Sequence, residues 1–156
     1  MMTNHTLKDG AEIHVMNVVN LANLAAFKHL IIYDFKKLLT KLGNPTQIES
    51  DLKEYILNKG GFTLVVHKGK LIACFNFTLH KFSRINGSIN DLVIADEWRD
   101  RGVEEILIEQ VLALGCQYDC KYVELVAINE SLVNYNPYES SGFSLEEGKF
   151  LYWYQK

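Results

Sequence analysis

The 156-residue sequence predicts an α/β (α+β) domain: a mixed, mostly antiparallel sheet of six to seven strands flanked by about four helices. Three observations lead there. Strand-like runs at 62–67 and 70–79 meet at Lys68 and Gly69, a two-residue hairpin signal. A third run, 88–95, precedes a helical pattern at 103–114 and a further strand at 122–127; this β-α-β order calls for a crossover and a parallel pair. A last hairpin pattern, 143–145 and 150–154, turns at Glu147 and Gly148.

Taken in order, residues 12–18 alternate enough to form a first strand. Residues 20–30 and 31–42 carry helical spacing, with Leu21, Leu24, Phe27, Leu30, Ile31, Phe35, Leu38 and Leu39 as the apolar stripe. Gly43, Asn44 and Pro45 break it. Another helix spans 46–58 on Ile48, Leu52, Tyr55 and Ile56, and Gly60 with Gly61 ends it. After the first hairpin, 84–87 forms a turn into strand 88–95. From Val103, apolar residues recur at Ile106, Leu107, Val111 and Leu114, one face of a 3.6-residue helix. A short helix lies between strand 122–127 and the last hairpin. There is no repeat, low-complexity tract or linker, so 1–156 reads as a single domain.

Composition narrows the function classes. Hydrophobic residues at 48% and charged residues at 22% are ordinary for a chain able to bury a core. A net charge of -3 supplies no global field, so neither nucleic acid nor a membrane is expected as a partner. The first ten residues are polar, and no segment reaches the ~18 apolar residues of a membrane span, so a cytoplasmic location is expected. Cys74, Cys116 and Cys120 are an odd set, which argues against a disulfide framework. No Cys-x-x-Cys is present and the five histidines lack ligand spacing, so no metal site is expected. Of these, His67 and His80 are placed to meet across a hairpin.

The most informative stretch is 91–102. Apolar Leu92, Val93 and Ile94 give way to the charged turn of Asp96, Glu97, Trp98, Arg99, Asp100, Arg101 and Gly102, and the 103–114 helix follows. A strand breaking into a glycine-containing turn and then a helix leaves backbone N–H groups pointing out of the helix start. That is an anion site, here flanked by two arginines. The same stretch also reads as an ordinary helix start with solvated arginines, capped by Asp100.

The element order, with Leu92, Val93 and Ile94, then Arg99, Asp100, Arg101, Gly102 and Val103, then Tyr138, Glu139, Ser140, Ser141, Gly142 and Phe143, resembles the GNAT superfamily of acyl-CoA-dependent N-acyltransferases. The resemblance covers nearly the whole chain in element order and about its last two-fifths in motif. It implies acetyl-CoA as co-substrate, with no metal. The strand of Leu92, Val93 and Ile94 would splay from the 122–127 strand, and its backbone would hydrogen-bond the pantetheine arm and hold the thioester carbonyl. The backbone from Arg99 and Asp100 through Arg101, Gly102, Val103, Glu104 and Glu105 would cradle the pyrophosphate. Asn129 matches a polar position that contacts the pantetheine, and equally fits a turn cap.

One position departs from the family pattern. Glu104 stands where the signature has glycine or alanine, and Glu105 follows it. Two acids suit the positive end of a bare helix, but a carboxylate ~5 Å from a phosphate charge costs about 3 kcal/mol at an effective dielectric near 20.

Tyr138 falls where the family has a tyrosine that protonates the departing thiolate; Tyr135 is its rival. Asn136, Pro137, Tyr138 and Glu139 read as N-cap, N1, N2 and N3 of a helix that stops at Gly142. Amine acylation also needs a proton acceptor. Asp91, on the face opposite Leu92 and Ile94, is the candidate, with Glu124 as an alternative. Phe27, His29, Tyr33 and Phe35 either line an acceptor site or belong to the core.

The resulting expectation is an N-acetyltransferase acting on a small-molecule or peptide primary amine by direct attack in a ternary complex, with a homodimer as the assembly to test for. The alternative is a catalytically inactive GNAT-fold module that binds a ligand or a protein, which Glu104 and Glu105 favour. A nucleotide-binding domain using the same helix start fits less well. Only one glycine follows the strand, without Gly-x-Gly-x-x-Gly or a P-loop lysine.

Overall fold

Lys68 and Gly69 both adopt positive φ, 49° and 79°, the backbone that a two-residue hairpin demands of its central pair. The computed structural model describes residues 2–30, 56–57, 60–81, 85–126, 136–146 and 150–155. Eight strands join one sheet: β1 Met2–Thr6, β2 Glu12–Val18, β3 Gly60–His67, β4 Lys70–Lys81, β5 Ile85–Ile94, β6 Tyr122–Val126, β7 Ser144–Glu146 and β8 Phe150–Tyr154. Their order across the sheet is β1-β2-β3-β4-β5-β6-β8-β7. All neighbours are antiparallel except β5 and β6, whose parallel pairing follows from the crossover between them.

Three α-helices lie among the described residues: α1 Leu21–His29, α2 Val103–Gln117 and α3 Asn136–Ser140. The Asn20 side chain caps α1, accepting from the Asn23 N–H at 2.8 Å. α2 forms the crossover and buries Val103, Leu107, Ile108, Val111 and Leu114; of the expected stripe Ile106 is only partly buried, and Ile108 joins it. β3 and β4 sit mid-sheet and are buried from Gly61 to Val66 and from Leu71 to Phe77, so the core runs along both of their faces there. None of the described helices is long and apolar enough to cross a membrane.

The mixed, mostly antiparallel α/β architecture agrees with the sequence, and the differences have physical causes. The sheet has eight strands because Met2–Thr6 pairs with β2, an unexpected addition. That segment is polar and mostly exposed on the sheet edge, so no apolar alternation announces it. Gly60 and Gly61 begin β3, and the end of the preceding helix lies outside the described residues. A Cβ on Gly60 would overlap the Phe77 carbonyl across the ladder, which is why glycine stands there. Ile85, Asn86 and Gly87 belong to β5 rather than to a turn. His67 and His80 sit at opposite ends of the strand pairings, opposite Lys70 and Asn86 respectively, and do not meet. The expected helix at 31–42, and all of the 46–58 helix except residues 56–57, lie outside the described residues.

Candidate active site

β5 and β6 pair only through Gly87 opposite Val123, Ser88 opposite Glu124 and Ile89 opposite Leu125. Beyond Ile89, β5 continues for five residues to Ile94 along β4, while β6 is described only to Val126. The β4 ladder slips at the same place. Cys74 faces Val93 and Asn76 faces Asn90, so Asp91 and Leu92 together oppose the single residue Phe75. A bulge of this kind bends its strand and sharpens the local twist. Leu92, Val93 and Ile94 are all buried side chains, and the backbone edge they carry toward β6 lacks a strand partner among the described residues. The bulge was not legible in the sequence.

The chain leaves β5 through a 3-10 turn, Asp96–Trp98, and enters α2. Asp100 does not cap the helix. It takes φ 59°, and the N-cap is Gly102 at φ 98° with no side-chain hydrogen bond to the helix start. Two left-handed residues this close to a helix start turn the chain sharply and leave its first N–H groups without a side-chain cap. Positive φ at Gly102 costs little only because the residue has no Cβ.

Both arginines flanking this start are engaged. Arg99 pairs with Asp96 at 3.4 Å. Arg101 donates from Nε to Asp9 Oδ2 at 2.8 Å, and its guanidinium carbon lies 4.0 Å from the Trp98 ring centroid. Trp98 is buried, and its ring also meets that of His67 at 4.6 Å. Asp9 comes from the tight turn between β1 and β2. The Ala11 N–H, and then the Arg101 guanidinium, hold its carboxyl below the ordinary value. Two grooves flank the ion pair. One, of about 570 Å³, runs past Leu7, Lys8, Asp100, Gly102, Glu105 and Ile106. The other, of about 650 Å³, runs past Glu12, His14, His67 and Lys68. Asp9 is the residue that sequence reasoning missed. Its only signal was the turn-forming pair Asp9 and Gly10.

Glu104 is buried at 9% exposure although it lies in the first turn of α2. Burial raises its pKa to about 7, Glu105 and Asp100 push the same way, and Arg99 opposes them. The Glu104 carboxyl is therefore not the fixed anion that its position in the sequence suggests. Tyr138, from α3, is 1% exposed and packs edge-on against Phe143 at 5.8 Å between ring centroids. Burial, followed by the charges of Glu104 and Glu105, drives its phenol well above the ordinary value. The Tyr138 hydroxyl and Glu104 Oε2 are both buried with no hydrogen-bond partner among the described residues. α3 starts at Asn136, so this residue is helical rather than the cap outside the helix.

The other candidates are dispersed. Glu124 accepts from the Tyr152 hydroxyl at 3.3 Å. Asp91 lies on β5 at the bulge. Asn129, Tyr135, Tyr33 and Phe35 lie outside the described residues. Phe27 packs against the core and His29 is exposed. Cys74 and Cys120 are buried and Cys116 is exposed; burial, Asp119 and Cys116 raise the Cys120 thiol. Among the described residues no cluster of three or more His, Cys, Asp or Glu could hold a metal ion.

Comparison with known proteins adds family and fold. The sequence profile described as "Acetyltransferase (GNAT) family" matches residues 29–143. No curated protein matches the chain. Among solved structures, the chain is similar to the GNAT domain of S. lividans PAT, with 13% identity, TM-score 0.64, and 99% of this chain and 97% of that one covered. It is also similar to a chain of the NatC complex bound to Gag peptide and CoA, at 17% identity and TM-score 0.65, covering 91% and 99%. An aminoglycoside acetyltransferase from an uncultured soil metagenomic sample, in complex with sisomicin, matches at 14% identity and TM-score 0.61, covering 76% and 79%. At these identities the likeness establishes the fold.

Proposed function

The chain belongs to the GNAT family of acetyltransferases, and from that premise we propose that it moves an acetyl group from acetyl-CoA to a primary amine by direct attack in a ternary complex. The observation that carries this reading is the helix start at Gly102, with no side-chain cap, directly after the buried β5 end of Leu92, Val93 and Ile94. An extended pantetheine arm fits beside a strand edge, and a diphosphate fits N–H groups at a helix start. All eight strands join one sheet, which supports a single acetyltransferase domain over 1–156.

In this mechanism the backbone of Leu92, Val93 and Ile94 pairs with the arm and orients the thioester. The backbone from Arg99 and Asp100 through Arg101, Gly102, Val103, Glu104 and Glu105 receives the diphosphate, with Arg101 as the nearby cation. Asn129 would contact the arm from beyond β6. Tyr138 keeps its proton well past neutral pH, the state required of an acid that protonates a departing thiolate. With Glu124 held by Tyr152, Asp91 is the carboxylate proposed to take the ammonium proton. Relatives by fold include structures holding an aminoglycoside and a peptide with CoA, so both acceptor classes belong in the first screen.

The second reading is a GNAT-fold module without catalysis. Two observations favour it: Asp9 already occupies Arg101, and buried Glu104 lies at the cradle. Calorimetric titration with acetyl-CoA, beside ATP as a control, separates the readings at the binding step. Saturable binding of acetyl-CoA alone is the expected result. Its absence at every pH tested would remove the acetyltransferase reading.

A further inference from the structure

Glu104 sits at the second position of α2, where a carboxylate is normally a solvated partner of the helix dipole. Here it is turned into the protein at 9% exposure, and Oε2 has no hydrogen-bond partner among the described residues. The charged and titratable groups around it come from three places. Asp100 belongs to the preceding turn, Glu105 to the same helix, and both are acidic; Arg99 is the cation that acts on it. Tyr138, on α3, feels the charge of Glu104, and its own buried hydroxyl is equally without a partner among the described residues. A buried polar atom left without a partner is costly, so a native site that keeps two of them is built for something that satisfies them.

We propose that docking of a diphosphate-bearing acyl donor at the start of α2 is coupled to the uptake of one proton by Glu104. The proposal rests on the acyl-donor reading above and deepens it. The step is a simple protonation: the carboxylate takes H⁺ from solvent, no bond of the donor breaks, and the neutral carboxyl gains an O–H able to donate. Nearby diphosphate charge stabilises the neutral form for the same reason that Glu105 and Asp100 already do. The free carboxyl is already raised to about 7, and the two phosphate charges raise it further, past the pH of the test below. An acid at a position that would otherwise repel the ligand thereby makes affinity fall as pH rises.

The test is calorimetric titration of the full chain with acetyl-CoA at pH 8, in HEPES and in Tris, whose ionisation enthalpies differ. Wild type and Glu104→Gln are compared, because the difference cancels protons carried by the ligand's own phosphates. Wild type should take up about 0.9 proton more per ligand than Glu104→Gln, and its affinity relative to the variant should fall about tenfold from pH 8 to pH 9. Equal proton uptake in the two proteins overturns the proposal while leaving the acyl-donor reading in place. Should Glu104→Gln not fold, Glu104→Ala serves the same comparison. No binding by wild type even at pH 5.5, where Glu104 is neutral, would overturn both.

Discussion

Two side chains carry the chemistry that is most open to experiment. Glu104 has its pKa raised from 4.5 to about 7 on folding, so the folded state favours the neutral carboxyl. Stability from this group is full below pH 4.5 and declines as pH rises through 7. Above that it is lower by about 3 kcal/mol. Glu104→Gln removes this slope, so its thermal midpoint should exceed that of wild type by several degrees at pH 8 and differ little at pH 5. Melting curves at the two pH values check this, and parallel curves would contradict it. For Tyr138 the expectation separates chemistry from packing. The hydroxyl is buried without a partner, so Tyr138→Phe should leave the midpoint unchanged or slightly raised. Turnover on an accepted amine should meanwhile fall roughly 10- to 1,000-fold with acetyl-CoA affinity preserved. Unchanged turnover would reduce Tyr138 to a packing residue.

At the level of elements, the β1–β2 hairpin matters more than its polar sequence suggests. Its turn delivers Asp9 to Arg101 from 92 residues away in sequence, and places Leu7 beside Gly102. An anion arriving at the helix start competes with Asp9 for the guanidinium. Asp9→Asn should therefore tighten acetyl-CoA binding a few-fold, the scale of an exposed ion pair, with little change in thermal midpoint. Arg101→Ala should weaken binding on the order of tenfold. Titrations of the two variants check both; a looser Asp9→Asn complex would mean that Asp9 orients Arg101 instead of competing for it. β1 was illegible because edge strands need no apolar face. The central elements were legible because burial imposes a period, as in the α2 stripe of Val103, Leu107, Val111 and Leu114.

The whole molecule decides which groups share a site. The sheet brings the end of β5, the start of α2 and the β1–β2 turn to one end of its strands. Two cysteines lie elsewhere: Cys116 is in the last turn of α2, roughly 20 Å along its axis from Gly102, and Cys120 lies beyond that helix against Gly87. Cys120 is further disarmed by burial, and Cys74, opposite Val93 on β4, is fully buried. Intact-mass spectrometry after incubation with acetyl-CoA alone should consequently show no stoichiometric acetyl adduct. A cysteine adduct discharged by amine would instead establish a ping-pong route.

The sequence by itself determined the hairpin at Lys68 and Gly69, the β-α-β crossover through α2 and the glycine at the helix start. Each of these is set by neighbours along the chain: paired positive φ angles, a 3.6-residue period, a missing Cβ. The tertiary structure alone decided the state of the charged side chains. Asp9 meets Arg101 because a polar edge strand pairs with β2. Glu104 is poised to gain a proton because the packing of α2 buries it, with Glu105 and Asp100 acting on its charge. Residue type fixes an ionisable group, but the energy of its charge depends on solvent exclusion and on distances to other charges, and only folding sets those.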